Sequence, residues 1–274
     1  NRPMPTDHVI PQPDERLHVK RTTVSEAPGA LRGQVWLTLQ THQAQQLIHG
    51  REGTPDKPPI IGLTGFANRL RVIWQAARDD DPYADWWLIK VHEAIDTIAT
   101  LFRYRQAALN ASLEQMTAME VTVAASQHPY RVYLQFANPY AYRGAQLVAE
   151  YDRLVCTAWT ARHIGLLEGQ ACVHIQRACA RKLRALFLIP QSYRLLKIDR
   201  ETVRTAMGRS AEARQRMGEL PADILSGEYQ APLVPRQVRF PRGFAGPVGL
   251  RPQSSVSNPP LSDDENDDRS CRGF

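Results

Sequence analysis

Two hydrophobic periods divide this chain. In Gln34-Val35-Trp36-Leu37-Thr38-Leu39-Gln40 every second residue is apolar. A strand turns successive side chains to opposite faces, so Val35, Leu37 and Leu39 are expected to face a core. Residues 120–125 alternate through Val121 and Val123, and Arg131-Val132-Tyr133-Leu134-Gln135-Phe136 alternates most clearly. There Val132, Leu134 and Phe136 are expected inward, which leaves Arg131, Tyr133 and Gln135 on an open face. The turn at Gln127-His128-Pro129 is expected to pair the second and third runs. The first and third runs each lead straight into a helical pattern, a weak internal similarity that suggests the two strands share a sheet.

The helical period takes over elsewhere. A short helix is expected over residues 42–48, and a loop over 50–62, marked by Gly53, Pro55, Pro58 and Pro59. A helix over 65–77 carries Phe66, Leu70, Ile73 and Trp74 on its apolar side. Asp81-Pro82 opens the longest helix, to about residue 118, because Asp suits an N-cap and Pro the first helical position. Within it Leu88, Val91, Ile95, Ile98, Phe102, Leu109 and Met116 recur at heptad spacing, with Arg105 and Ser112 in the two gaps. That stripe calls for one long partner helix, most simply in the same chain, otherwise in a second copy. Asn138-Pro139 opens another helix to about residue 164, with Leu147, Tyr151, Leu154, Val155 and Ala158 buried and Gly165 as its stop. A helix over 167–188 and further turns over 199–217 complete the pattern. The fold class is therefore α+β: mostly helical, with long packed helices and a small antiparallel sheet.

Charge sharpens this picture. The net formal charge is +6. Between residues 131 and 218, fifteen Lys or Arg stand against six Asp or Glu, whereas 79–96 holds six acids and one Lys. The C-terminal tail adds Asp263, Asp264, Glu265, Asp267 and Asp268. A basic middle between acidic flanks suits a polyanion partner; an Arg-rich solvated surface is the plain alternative. Arg177, Arg181 and Arg184, with Lys182 beside them, share one helix face at spacings of four and three. An open strand face of Arg, Tyr and Gln suits the reading of base edges; an ordinary half-buried strand is its plain counterpart.

Other chemistry is weakly represented. Nucleophile elbow, P-loop, dinucleotide fingerprint and H-E-x-x-H are not found, so an enzyme is not expected, nor a cofactor or metal. Asp79, Asp80, Asp81 and Asp85 read as an acidic helix N-terminus before they read as a cation site. Of the adjacent Trp86 and Trp87, only one can belong fully to the buried stripe. Cys156, Cys172, Cys179 and Cys271 form no C-x-x-C pair and read as buried thiols. No apolar run approaches the ~20 residues of a membrane span, and no charged-then-apolar leader is seen. A cytoplasmic protein without membrane association is the expectation.

Longer motifs go further. Ile60-Ile61-Gly62-Leu63 with Phe66-Ala67-Asn68, then Asp80-Asp81-Pro82-Tyr83-Ala84-Asp85-Trp86-Trp87-Leu88, form the first group. Asn138-Pro139-Tyr140-Ala141-Tyr142-Arg143-Gly144-Ala145, Glu150-Tyr151-Asp152-Arg153-Leu154 and Thr160-Ala161-Arg162-His163-Ile164-Gly165-Leu166-Leu167 form the second, and Met217-Gly218-Glu219-Leu220-Pro221 closes the set. In this order they resemble a bacterial family encoded on integrating conjugative elements and grouped with AcaB-like transcriptional activators of conjugative plasmids. The resemblance spans about residues 31–232. It implies a dimeric, double-stranded-DNA-binding regulator of ribbon-helix-helix type, in which two strands, usually one per protomer, enter the major groove.

Carried onto this chain, the resemblance makes Arg131 a partner for guanine, Gln135 for adenine, and Tyr133 a contact to a base edge or the backbone. Asn138, Arg143, Arg177, Arg181, Lys182 and Arg184 would join them at the DNA. Two departures stand against this: a longer helix after the strand, and extra strands near Val35 and Val121 that can cover the ribbon. The implied organisation is a disordered arm over 1–30, one helical domain over 31–232 with its DNA-binding core at about 119–190, and a disordered acidic tail over 233–274. A second reading is a non-catalytic assembly component of the conjugation machinery. There the heptad stripe, the tryptophan pair and the tail would contact protein, RNA polymerase being another partner to consider for the tail.

Overall fold

The computed structural model describes residues 33–235. The arm expected over 1–30, and the tail from 236 onward with its acids and Cys271, lie outside the described residues. The chain begins with β1 (Val35–Leu39) and α1 (His42–His49), then a short hairpin of β2 (Gly50–Arg51) and β3 (Ile60–Ile61). The hairpin falls where glycine and proline alone suggested a loop. It depends on close backbone approach: a Cβ on Gly50 would lie 2.0 Å from the Ile60 carbonyl oxygen, and its φ is 74°.

Next come α2 (Leu63–Arg78), α3 (Pro82–Glu114), β4 (Tyr130–Leu134), α4 (Pro139–His163) and α5 (Gly169–Leu188). A single 3-10 turn, Ile189–Ser192, leads to α6 (Arg200–Arg204), α7 (Ser210–Met217) and α8 (Ala222–Ser226). Asp81 caps α3, its Oδ1 accepting from the amides of Tyr83 at 2.8 Å and Ala84 at 3.3 Å, with Pro82 first in the helix. The heptad stripe is buried from Leu88 through Leu109, and α3 packs chiefly on α4 of the same chain. The expected α4 stripe is buried as well, and Phe102 meets Tyr151 with ring centroids 6.4 Å apart. α3 ends at Glu114, short of the expected 118.

α2 and α5 close the core around Phe66 and Phe187, whose centroids are 5.1 Å apart. Burying each such side chain contributes about 1.5–3 kcal/mol. Gly165 stops α4 as expected. Its φ is 79°, its amide bonds the Arg162 carbonyl at 3.1 Å, and the Leu166 amide bonds the Ala161 carbonyl at 2.9 Å. This is the paired Schellman arrangement.

The sheet departs from expectation in one respect. β1 and β4 do lie side by side, antiparallel, with Trp36 opposite Tyr133, Leu37 opposite Val132 and Thr38 opposite Arg131. Residues 120–125, however, form no strand. Their backbone is held by side chains instead: the Ala124 amide bonds Thr160 Oγ1 at 2.9 Å, and the Ser126 amide bonds Gln40 Oε1 at 3.0 Å. With β1 already paired to β4, the alternation of Val121 and Val123 has no partner among the described strands. The two-stranded sheet of β1 and β4 thus lies within one chain.

Candidate nucleic-acid interface

Both strands build the outer face of the ribbon. Trp36 and Thr38 of β1 and Arg131 and Tyr133 of β4 are all exposed. Trp36 and Tyr133 lean together with centroids 5.3 Å apart and planes tilted by 50°. The Arg131 guanidinium carbon lies 5.2 Å from the Trp36 ring centroid. Contact with a ring face uses no N–H donor, so Arg131 keeps its fork for an acceptor. Among the described residues it has no carboxylate partner. Gln135 is exposed one residue past the strand. Arg131, Tyr133 and Gln135 therefore share an open surface, which the extra strand at Val35 borders without covering.

The inner face fixes this surface to the helices. Leu37, Leu39 and Leu134 are buried, whereas Val35, at the strand end, is 42% exposed against expectation. Val132 and Phe136 are half-buried. β1 packs on α4, and Asp152 of α4 locks its end. The Asp152 carboxylate accepts from the Gln40 amide at 2.6 Å, the Thr41 amide at 2.9 Å and Thr41 Oγ1 at 2.7 Å. Thr41 in turn caps α1 by accepting from the Ala44 amide at 3.2 Å. Charge-assisted bonds of this kind are roughly twice as strong as neutral ones. At the other strand, the Phe136 amide donates to Tyr142 Oη at 3.1 Å.

Asn138 and Arg143 prove to be internal ties. Asn138 is 3% exposed, and its Oδ1 caps α4 by accepting from the Ala141 amide at 3.0 Å. As a buried cap it stands apart from the exposed side chains of the strand face. Arg143 Nη2 donates to Asp96 Oδ1 at 2.5 Å, and Nη1 lies 2.8 Å from His92 Nδ1. His92 Nε2 is 3.1 Å from Asp96 Oδ2. The three join α3 to α4, and two of the five Arg143 N–H donors are spent on that tie. Burial lowers the His92 pKa, opposed in part by Asp96. The neutral ring with its proton on Nε2 fits both contacts.

The α5 cations stand apart from the ribbon. Arg177, Arg181 and Lys182 are exposed, while Arg184 is half-buried with an unpartnered buried Nε. α5 packs mainly on α4, α3, α2 and β3. The structure gives these cations no direct tie to the open β1–β4 face.

The acids before α3 are structural. Arg200 Nη2 donates to Asp85 Oδ2 at 2.5 Å and Nε to Asp80 Oδ1 at 3.2 Å. Its Nη1 donates to the Leu225 carbonyl at 2.9 Å and to that of Ile224. Tyr193 Oη donates to Asp81 Oδ2 at 2.7 Å; burial still pushes the Asp81 carboxyl up to about 6, against that bond. No group of His, Cys, Asp or Glu among the described residues is arranged to hold a metal. Trp87 is buried and bonds the Ile189 carbonyl at 3.0 Å. Lys90 Nζ covers both tryptophan rings, at 3.6 and 3.8 Å from the Trp86 and Trp87 centroids. No helix of the described residues is long and apolar enough to cross a membrane.

Trp36 and Thr38 were missed as members of the open face. Their alternation with Leu37 and Leu39 was visible, but the identity of the partner strand was not.

The family model of the transcriptional regulator AcaB matches residues 27–237. The chain belongs to the AcaB family. That family is one of transcriptional regulators and not of enzymes. A solved structure of selenomethionine-containing AcaB from uropathogenic E. coli is similar in fold, with a TM-score of 0.50. Identity is 15%, over 72% of this chain and 95% of that one. At such low identity the likeness of this AcaB family member to that structure is one of fold alone. No curated protein sequence matches it.

Proposed function

We propose that this AcaB family member is a sequence-specific DNA-binding regulator that reads the major groove with its β1–β4 ribbon. The exposed outer face, with Arg131 free of carboxylates and braced on Trp36, is the observation that carries the reading. A major groove about 12 Å wide admits a two-stranded ribbon. Arg131 would bind guanine O6 and N7, Gln135 adenine, and Tyr133 with Trp36 would pack on base edges or thymine methyls. Arg177, Arg181 and Lys182 would neutralise phosphates and add salt dependence. A homodimer would set two such ribbons on a two-fold symmetric site, and an integrating conjugative element would be its genetic home.

The assembly reading rested on a heptad stripe, a tryptophan pair and the acidic tail; the stripe and Trp87 are buried inside the chain, Lys90 covers Trp86, and the tail lies outside the described residues. Selection from a randomised duplex pool at near-physiological salt tests the proposal. A recurrent motif is expected, and Arg131→Ala, Tyr133→Ala and Gln135→Ala together should abolish it while leaving the thermal midpoint nearly unchanged. Retention without enrichment, or the same motif from the folded triple variant, would overturn the ribbon assignment.

A further inference from the structure

A cleft of about 1080 Å³ lies between α2 and residues 195–202, with Ala137 on its wall. Small-molecule sites run to about 300–1,000 Å³, so this one has room for a sizeable ligand. Arg71 and Arg78 line it from one face of α2, two helical turns apart, and Lys197 lines it from the facing segment. All three are exposed and make no ion pair or hydrogen bond within the described residues.

The carboxylates of the cleft are otherwise engaged. Asp79 accepts from Gln75 Nε2 at 3.2 Å, Asp199 from the Thr202 amide at 2.8 Å, and Asp81 from Tyr193. Those donors are neutral and leave the carboxylates their charge, but they hold each one in place; Arg71, Arg78 and Lys197 are the charged lining side chains with neither an ion pair nor a hydrogen bond within the described residues. Val72, Trp74 and Leu195 supply an apolar wall, and Trp74 is held edge-on to Tyr140 at a centroid distance of 6.3 Å. Lys197 sits at a φ of 52°. A non-glycine residue in the left-handed region is strained, and strain of this kind concentrates at ligand clamps and switches.

We propose that the cleft binds a small aromatic anion. Its ring would lie against Trp74, Val72 and Leu195, and its carboxylate, sulfonate or phosphate between Arg71, Arg78 and Lys197. Each separate feature has an ordinary explanation. Their convergence on one cavity, three unpartnered cations facing an aromatic wall across a strained lysine, points to a ligand. Ala137 joins Gln135, past the end of β4, to the Asn138 cap of α4. An occupant would therefore bear on the junction that sets the ribbon. The proposal goes beyond DNA reading and does not depend on it.

The probe is 8-anilinonaphthalene-1-sulfonate, titrated into the full chain by fluorescence and calorimetry. Saturable binding at one site is expected, with the uncharged N-phenyl-1-naphthylamine binding at least about tenfold more weakly. Removing two exposed cations predicts a loss of about five- to thirtyfold for Arg71→Ala with Lys197→Ala. Arg51→Ala with Lys57→Ala, on the β2–β3 hairpin and outside the cleft, should leave probe binding unchanged. Leu195→Trp, at an exposed position, fills the mouth and should abolish binding even if the cation variant fails to fold. Absence of saturable binding, equal affinity for the neutral probe, an equal loss in the hairpin variant, or full binding by folded Leu195→Trp would each overturn the assignment.

Discussion

Arg131 and Arg200 carry the same charge in the same basic stretch, yet their surroundings are opposite. Arg131 stands on an open two-stranded ribbon, its guanidinium over a tryptophan ring and away from any described carboxylate. Arg200 is 8% exposed and is met by Asp85, Asp80 and two α8 carbonyls. One side chain can be removed without orphaning a neighbour. Removal of the other takes a donor from the Asp85 and Asp80 carboxylates and from the Leu225 carbonyl, while the Ile224 carbonyl keeps the Gly227 amide. Net charge along a sequence therefore counts cations but does not sort them. The sorting comes from desolvation, because a buried charge is tolerable only when its partners surround it. The ribbon is shaped to present, and the Arg200 junction to hold.

The largest effect should come from breaking the holding side. Arg200→Met keeps the bulk and deletes the charge, leaving Asp85 buried without its cation and the Leu225 carbonyl without this donor. The expected loss of unfolding free energy is roughly 3–5 kcal/mol, the usual result of removing one member of a buried pair. Denaturant titration measures it. Adding Asp85→Leu should return part of the loss, with a coupling of about 0.5–3 kcal/mol between the two sites. If Arg200→Met proved as mild as a surface substitution, the contrast with Arg131 would collapse.

An intermediate effect is expected where holding and presenting meet. Asp152→Ala removes three donors' common acceptor at the β1–α1 corner and should cost about 2–3 kcal/mol. Because Asp152 bonds Gln40 and Thr41, the loss should concentrate at the ribbon. Amide exchange at β1 and β4 should accelerate more than exchange in the buried turns of α3. Uniform acceleration would mean that Asp152 holds the whole domain and has no special tie to the ribbon.

How much of this was legible in the chain depended on range. β1, β4, α3 and α4 were readable because alternation, heptads and the Asp81-Pro82 and Asn138-Pro139 caps are local signals. The β1–β4 pairing was suggested only by likeness, since β1 and β4 are separated by three helices; the nearer run at 120–125 was the more obvious and mistaken partner. Asp152 and Arg200 were unreadable for the same reason. Their roles depend on backbone and carboxylates 111 and 115 positions away. Asn138 shows the converse: its fitness as an N-cap was plain, and the structure buries it in that role. At the open face, Arg131, Tyr133 and Gln135 followed from alternation, whereas Trp36 and Thr38 required knowledge of the register.

Arg143 lies between the two extremes, half-buried and shared by Asp96 and His92, and it predicts the smallest effect. In the native arrangement His92 Nδ1 accepts from Arg143, so the ring must be neutral there. Burial lowers its folded pKa below the unfolded value of about 6.5. A depressed base contributes stability that is present above the unfolded pKa and lost as pH falls through the folded one. The wild type should therefore lose stability on acidification below about pH 6.5, by more than a His92→Gln variant, whose amide oxygen can still accept without titrating. The thermal-midpoint difference between the two proteins, measured from pH 8 down to pH 5, should move in the variant's favour. A difference that stays constant would mean that Arg143 is held by Asp96 alone, and would place it nearer to Arg131 than its burial suggests.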